Sequence, residues 1–215
     1  MITFRPLARS DLRTLQAWLN TPHVYEWWGS HAGSDSIGGP GQDAATEAQV
    51  EAKYGLEIDC EGPTHRFIIE LSGAPIGLIQ WYYLRDYAEY AAAIGEDPAT
   101  AVGIDLMIGD AEAIGRGLGS CAIDEFVTVV LFSLPGVDRV VTGPAAHNAR
   151  SIRAFEKAGF RRAREASIAG ENAPEAVMVR LKPRMNPEGS NPEGSCFVKC
   201  GGPSFQLGKV SVRIL

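Results

Sequence analysis

The sequence has no apolar run of membrane-spanning length, and its N-terminus lacks the apolar segment that directs a chain to secretion. Cysteine is scarce, with four residues among 215, and none is spaced with histidines as a zinc site requires. These absences favour a reduced, cytoplasmic protein without a membrane partner or a bound metal. The cysteines are Cys60, Cys121, Cys196 and Cys200.

Positive charge is also in short supply: 20 lysines and arginines stand against 26 aspartates and glutamates, and the net charge is −6. Proteins that bind nucleic acid usually present a basic face, so this balance argues against a nucleic-acid partner. It is compatible with a cationic small molecule as ligand. The P-loop pattern GxxxxGK[ST] is absent, and the glycine loop described below lacks the GxGxxG spacing of dinucleotide folds.

The end of the chain differs in composition from the rest. Residues 186–195 are two copies of NPEGS, a composition typical of linkers. The length of the chain fits one domain with an extra segment. The sequence therefore predicts a single domain over residues 1–183 and an appended tail over residues 184–215 that has no role in catalysis.

Residues 102–119 (VGIDLMIGDAEAIGRGLG) are typical of a buried strand followed by a loop with glycine at every second position. Residues 120–131 then show the apolar spacing of a core-facing helix. A strand, a glycine loop and a helix start favour phosphate binding, because the backbone can come close and the first helical N–H groups point at the anion. Arg116 would add a cation to this site. The alternative is a tight turn without a ligand.

This loop resembles that of the acyl-CoA-dependent N-acyltransferases of the GNAT superfamily, [QR]xxGx[GA], with Ala113 at the Gln/Arg position. Residues 148–160 (NARSIRAFEKAGF) resemble the family's second signature, N-x-x-[AS]-[IR]-x-x-[YF]-E-K-x-G-F. The resemblance covers residues 2–181 and implies an α+β (α/β) fold. Its centre is a mixed, mostly antiparallel twisted sheet of six to seven strands, flanked by about four helices. Gly159 is predicted to end the helix that contains this second signature.

The resemblance also implies acetyl-CoA as cofactor and assigns residues to it. In the family, the loop amides hold the pyrophosphate, and an asparagine contacts the pantetheine arm. Backbone N–H groups bind the acetyl carbonyl where the fourth strand splays from the fifth. The implied cofactor-binding residues are Leu106, Met107, Ile114, Gly115, Arg116, Gly117, Leu118, Gly119, Ser120, Asn148 and Phe155.

The remaining patterns predict how the chain is ordered. Strands are expected over residues 2–7, 65–71, 75–83, 137–142, 161–168 and 176–181, and helices after a cap at Ser10 or Asp11 and over residues 43–54. Residues 30–41 are predicted to be a glycine-rich loop. Residues 85–100 are long for a hairpin connection, which favours a lid. The acidic cluster Glu57, Asp59 and Glu61 is interpreted as solvated surface.

Asp105 is an acidic residue inside an apolar strand. A buried charge needs a partner, because burying it alone costs several kcal/mol. A cationic amine is one such partner, and accepting the proton of that amine would make Asp105 the catalytic residue. The alternative is a structural aspartate held by a cap or a bulge.

Within the superfamily, the chain is most similar to the aminoglycoside 6'-N-acetyltransferases. The similarity lies in WLN at 18–20, EWWG at 26–29, Gln80 and GID at 103–105. It implies that Trp27, Trp28, Gln80 and Asp105 line the substrate pocket, although core packing is the alternative for the two tryptophans. An acidic rim that attracts the polycationic drug is expected at Asp86, Glu89, Glu96 and Asp97.

Two positions depart from the family pattern. Relatives often have aspartate before the proline that follows the fifth strand, where this chain has Gly143 before Pro144. They also often have tyrosine as the acid for the leaving thiolate, where this chain has Phe155, which cannot donate a proton.

Three functions are compatible with these patterns. The first is an antibiotic-resistance enzyme, a monomer or homodimer, in which the 6'-amine of an aminoglycoside attacks acetyl-CoA in a ternary complex. The second is a GNAT acetyltransferase of another amine or of a hydroxylamine, such as a siderophore precursor. The third is a non-catalytic acyl-CoA-binding module.

Overall fold

The computed structural model describes residues 1–28, 37, 43–60, 62–169 and 173–183. Its compact unit spans Ile2–Lys182. The predicted loop at 30–41 lies outside the described residues except for Ile37, as do Gly29, Glu61 and the tail. The division into a domain over 1–183 and an appended tail therefore stays a prediction. Within the described residues, every helix is too short or too polar to cross a membrane.

Seven strands form one sheet with the spatial order β1-β2-β3-β4-β5-β7-β6. Each neighbouring pair is antiparallel except β4 and β5, which are parallel. This confirms the predicted mixed, mostly antiparallel sheet. The strands are β1 (Ile2–Pro6), β2 (Thr64–Leu71), β3 (Ala74–Tyr83), β4 (Ala101–Ile108), β5 (Arg139–Thr142), β6 (Arg161–Ala166) and β7 (Glu175–Leu181).

The middle of the sheet opens beside β4. On one side, β4 pairs with β3 from Val102 to Ile108. On the other side, among the described strands, β4 pairs with β5 only over residues 101–103. Beyond Gly103 the two parallel strands separate, as the family resemblance implied. The separation leaves a cleft next to Asp105 and Leu106, where β4 has no described strand beside it on the β5 side.

Helices cover both faces of the sheet. They are α1 (Leu12–Leu19), α2 (Pro22–Tyr25), α3 (Glu47–Val50), α4 (Leu56–Cys60), α5 (Ala88–Ile94), α6 (Leu118–Val129) and α7 (Ala149–Lys157). They outnumber the four expected because several are one or two turns long. A π-helical turn, Glu51–Gly55, joins α3 to α4.

Two hydrophobic clusters fix the helices on the two faces. Adjacent residues of a strand point to opposite faces, and Leu78 and Ile79 of β3 belong to different clusters. Ile79 packs in the cluster that contains Phe126 of α6 and Phe155 of α7. Leu78 packs in the cluster that contains Leu15 of α1. Burying these side chains supplies the main stabilisation of the layered fold.

Two local predictions are wrong in detail. The helix predicted over residues 43–54 begins only at Glu47, because Thr46 and Gln49 form a capping box that fixes the start. It then continues through the π-helical turn into α4. Asp11 is the N-cap residue of α1, but its carboxylate does not cap that helix. It accepts two hydrogen bonds from Arg5, at 2.6 and 2.8 Å, and one of 3.0 Å from the backbone N–H of Ala8.

Candidate active site

Two adjoining cavities lie at the opening between β4 and β5. The large cavity has a volume of about 540 Å³, and the second cavity, the loop groove, has about 340 Å³. The two cavities are next to each other, because five residues line both of them. The shared wall residues are Trp27, Trp28, Leu106, Asn148 and Ser151.

The loop groove contains the glycine loop identified in the sequence. Gly115 and Gly117 have φ angles of +75° and +77°, a region that side chains with a Cβ rarely adopt. Gly117 is also the N-cap of α6, and no described side chain caps that end. The first N–H groups of α6 therefore have neither a helical partner nor a side-chain cap. They face the groove together with the positive end of the helix dipole, which suits an anion.

Most of the sequence-predicted cofactor residues line this groove. Arg116 and Phe155 are the exceptions, since the described groove walls do not include them. Phe155 is only 2% exposed, packs edge-on against Phe160, and reaches the large cavity instead. The residues that do line the groove are Leu106, Met107, Ile114, Gly115, Gly117, Leu118, Gly119, Ser120 and Asn148.

Asn148 is held rigidly where the two cavities meet. It is the N-cap of α7, and its side-chain oxygen accepts a hydrogen bond of 3.0 Å from the backbone N–H of Ser151. The side chain is buried and lines both cavities. The cap fixes the amide beside any ligand that passes from the groove into the large cavity.

A chain of polar side chains crosses the floor of the large cavity. Gln80 donates a hydrogen bond of 3.0 Å from Nε2 to Oδ2 of Asp105, its cross-strand neighbour. Arg66 donates from Nε to Oε1 of Gln80, also at 3.0 Å, and forms an ion pair with Glu57. Because Arg66 engages the amide oxygen, the NH₂ group of Gln80 must face Asp105. Glu57 is therefore part of this network, and the expectation of a solvated surface was wrong for it.

Burial and neighbouring charges shift the pKa values of two ionisable groups in these walls. Burial lowers the pKa of Arg66, with the neighbouring Tyr54, Tyr87 and Asp105 acting in the opposite direction. The pKa of the Tyr82 phenol is raised well above its usual value, mainly by burial and then by the charge of Asp105. Tyr82 therefore stays protonated and can donate a hydrogen bond at neutral pH.

The two tryptophans form the wall between the cavities. Trp27 lies against the ring of His147, with ring centroids 5.2 Å apart. Trp28 donates from Nε1 to the Tyr54 hydroxyl at 3.4 Å and packs on the cluster around α1. Trp28 thus combines the two roles considered for it, since one side meets the core and another meets the cavities.

None of the four acids of the predicted rim belongs to the described walls of either cavity. Asp86 and Glu89 are exposed and outside the described cavity walls, while Asp97 accepts a hydrogen bond from the backbone N–H of Ala99. The expectation for Glu96 was wrong, because its side chain is only 3% exposed. It forms ion pairs with Arg139, at 3.0 Å, and with Arg164.

The insertion between β3 and β4 contributes aromatic rings to the large cavity. Tyr87 and Tyr90, on either side of the start of α5, line its wall. Tyr87 lies within hydrogen-bond distance of Thr64, with 2.9 Å between the hydroxyl oxygens. The proposed lid movement of this segment remains a prediction.

Sequence reasoning missed several residues of the large cavity, among them Arg66, Tyr82 and Glu175. The sequence did contain a signal for Glu175, because an acidic residue begins an apolar strand there, just as Asp105 interrupts one. Arg66 and Tyr82 become part of the cavity through strand register, which pairs Arg66 with Gln80 and Tyr82 with Gly103. No local pattern reports such pairing. Among the described residues, no group of three His, Cys, Asp or Glu side chains is placed to hold a metal.

Comparison with known proteins agrees with this geometry. Residues 8–168 match the family described as an acetyltransferase (GNAT) domain. The aminoglycoside N(6')-acetyltransferase type 1 of Klebsiella pneumoniae is 31% identical over 182 residues, which cover 84% of this chain and 83% of that protein.

Two solved structures of the aminoglycoside acetyltransferase AAC(6')-Ib share the fold. The complex with coenzyme A has a TM-score of 0.67 and 30% identity, and the match covers 85% of this chain and 95% of that one. The complex with coenzyme A and kanamycin has a TM-score of 0.66 and 29% identity over the same shares of the two chains. The chain therefore belongs to the GNAT acetyltransferase family.

Proposed function

We propose that this protein is an aminoglycoside 6'-N-acetyltransferase, which transfers the acetyl group of acetyl-CoA to the 6'-amine of the drug while both are bound. The observation that carries the proposal is the pair of adjoining cavities, one walled by glycine-loop amides and the other by Asp105 and aromatic rings. The relatives reported above are named for this activity, and one solved relative holds coenzyme A together with kanamycin.

The residues of the loop groove fit the cofactor. Acetyl-CoA supplies an activated acetyl thioester and a pyrophosphate that needs hydrogen-bond donors. The amides of Gly115, Gly117, Leu118, Gly119 and Ser120 would bind the pyrophosphate, since these residues line the groove and no described side chain caps the start of α6. The remaining proposed contacts are Ile114 at the loop and Leu106 and Met107 on β4, with Asn148 beside the pantetheine arm.

Asp105 acts as the base in this proposal. The attacking amine must lose a proton as its nitrogen bonds to the acetyl carbon, and the Asp105 carboxylate accepts that proton. Gln80 holds the carboxylate in place through its 3.0 Å hydrogen bond. One backbone N–H of β4 that points away from β3, from Leu106 or Met107, donates to the acetyl oxygen as negative charge develops there. The carbon–sulfur bond then breaks, and the thiolate takes a proton from water or from the substrate.

Charge and aromatic surface fit the acceptor. A drug with several ammonium groups suits a cavity with acidic side chains, and Trp27 and Trp28 offer flat faces to sugar rings. The exposed Asp86 and Glu89 would act at a distance, by attracting the polycation before it binds. In this proposal the enzyme works in the cytoplasm on a small molecule, not on nucleic acid, as a monomer or homodimer.

A thiol-release assay with acetyl-CoA and a panel of amines tests the proposal. We expect turnover with kanamycin and tobramycin and a fall in kcat of at least about 100-fold in Asp105→Asn, because general-base catalysis typically contributes that much. Asp138→Asn is the matched control, since Asp138 is an exposed aspartate whose ion pair with Arg139 lies outside both cavities. Turnover confined to hydroxylamines, or coenzyme A binding without turnover on any amine, would contradict the proposal.

A further inference from the structure

Glu175 brings a second carboxylate into the large cavity. It is the first residue of β7, is only 5% exposed as a residue, and lines the same cavity as Asp105. Its position is fixed by the backbone on both sides. Ala176 donates a 2.8 Å hydrogen bond to the carbonyl of Pro144, and Ala146 donates one of 2.8 Å to the carbonyl of Pro174.

The absence of a side chain at Gly143 creates the room for this carboxylate. A Cβ at Gly143 would lie 2.7 Å from Cδ of Glu175 and 2.8 Å from the Tyr90 hydroxyl, closer than real Cβ contacts occur. Relatives often have an aspartate at the position of Gly143. In this chain the Glu175 carboxylate, which comes from β7, occupies space that a side chain at position 143 would enter.

A hydrogen bond helps to fix the orientation of the Glu175 carboxylate. The Tyr90 hydroxyl donates a 2.9 Å hydrogen bond to Oε2, which links β7 to the α5 segment across the cavity wall. The charges of Asp105 and Glu175 both add to the rise in the pKa of Tyr82, although burial is the larger cause. Both carboxylates therefore act on one phenol, and they belong to one electrostatic environment.

We propose that Glu175, oriented by Tyr90, forms a second ammonium-binding subsite that selects substrates with another amino group besides the reacting one. This inference rests on the proposed function. Asp105 meets the reacting nitrogen from β4, while Glu175 binds a different ammonium group from β7. A hydrogen-bonded ion pair shielded from water discriminates strongly against an analogue that has a hydroxyl at that position.

The subsite is tested by a double-change cycle, in which the protein and the drug are each altered alone and then together. The substrates are kanamycin and derivatives in which one non-reacting amine at a time is replaced by hydroxyl, and the enzymes are wild type and Glu175→Gln. In wild type, one derivative should show a KM raised about thirtyfold, and Glu175→Gln should raise the KM of kanamycin by a similar factor. With both changes present, the second should add less than about threefold, because the same contact is lost twice. Turnover of kanamycin by wild type tests the proposed function separately.

A variant with the carboxylate at position 143 instead of position 175 provides a second test. Gly143→Asp alone should impair activity, because its Cβ meets the Glu175 carboxylate. Combined with Glu175→Ala, it should recover at least a third of the wild-type kcat/KM for kanamycin. Tyr90→Phe should raise KM for the same amine but by less, about threefold. The thermal midpoint and coenzyme A affinity of each variant serve as folding controls.

Two results would overturn the inference. One is an equal KM increase in Glu175→Gln for kanamycin and for every derivative, which would mean that Glu175 affects the cavity without binding one amine. The other is a Gly143→Asp/Glu175→Ala variant that folds and binds coenzyme A yet is no more active than Glu175→Ala alone.

Discussion

Substituting Gly117 with alanine tests whether backbone amides of the glycine loop hold the cofactor. Gly117 has a φ angle of +77°, and a Cβ there would have no described atom within 4 Å. The substitution therefore adds no clash, and its effect comes from the backbone alone. An alanine in this left-handed region costs about 1–2 kcal/mol relative to a relaxed conformation.

That strain weakens the binding of coenzyme A by the same free energy if the bound state needs the left-handed conformation. The free loop can relax in the variant, but the amides of α6 converge on an anion only when Gly117 keeps its φ angle. The dissociation constant of coenzyme A should then rise about 5- to 30-fold, because about 1.4 kcal/mol corresponds to a factor of ten. Isothermal titration of wild type and variant with coenzyme A measures this ratio.

Gly136 provides a matched control elsewhere in the chain. Its φ angle is +75°, and a Cβ there also meets no described atom within 4 Å, but it lies outside the loop groove. Gly136→Ala should lower the free energy of unfolding by a similar amount and leave coenzyme A affinity unchanged. If Gly117→Ala changed the dissociation constant by less than twofold, or if the two variants changed it equally, the amide-cradle reasoning would be refuted.

Two further predictions concern the cavity floor and the N-terminal ion pair. Gln80→Leu removes the donor to Asp105 and should lower kcat/KM for thiol release about tenfold. The control Gln16→Leu loses a 3.2 Å hydrogen bond to Ala45 and should leave kcat/KM unchanged. Equal losses of kcat/KM in the two variants would contradict this prediction. Asp11→Asn should cost about 1–2 kcal/mol in urea unfolding at pH 7. Because the hydrogen bond from Arg5 lowers the pKa of Asp11, the unfolded state binds more protons, so this stability is present above pH 4 and is lost as the pH falls through the folded pKa. A difference between wild type and Asp11→Asn that stayed constant down to pH 2 would refute the assignment.

Local patterns predicted the structure of the loop groove well, whereas its role in binding the cofactor stays a prediction. The glycine loop and the helix start are contiguous in sequence, so the residues that determine the structure are also the residues that form it. Asn148 illustrates the same point, because its cap on α7 depends on residues three positions apart. The mixed sheet followed from the resemblance, and its seven strands confirm that expectation.

The acceptor side depended on contacts between distant segments. The sequence around Glu96 is typical of an exposed loop, yet Arg139 of β5 and Arg164 of β6 form ion pairs with Glu96 in the folded chain, where its side chain is buried. Glu175 becomes a wall of the large cavity only because Gly143, 32 positions away (175 minus 143), leaves room for its carboxylate. Strand register decides both outcomes, and a single sequence gives little information on register across long separations.

Locating the acetyl group on the product tests the central claim most directly. The protein would be incubated with acetyl-CoA and kanamycin, and the purified product analysed by mass spectrometry and proton NMR. The account predicts one acetyl group per drug molecule, on the 6' nitrogen, with one thiol released for each. Acetylation at another nitrogen, or thiol release without an acetylated drug, would contradict it.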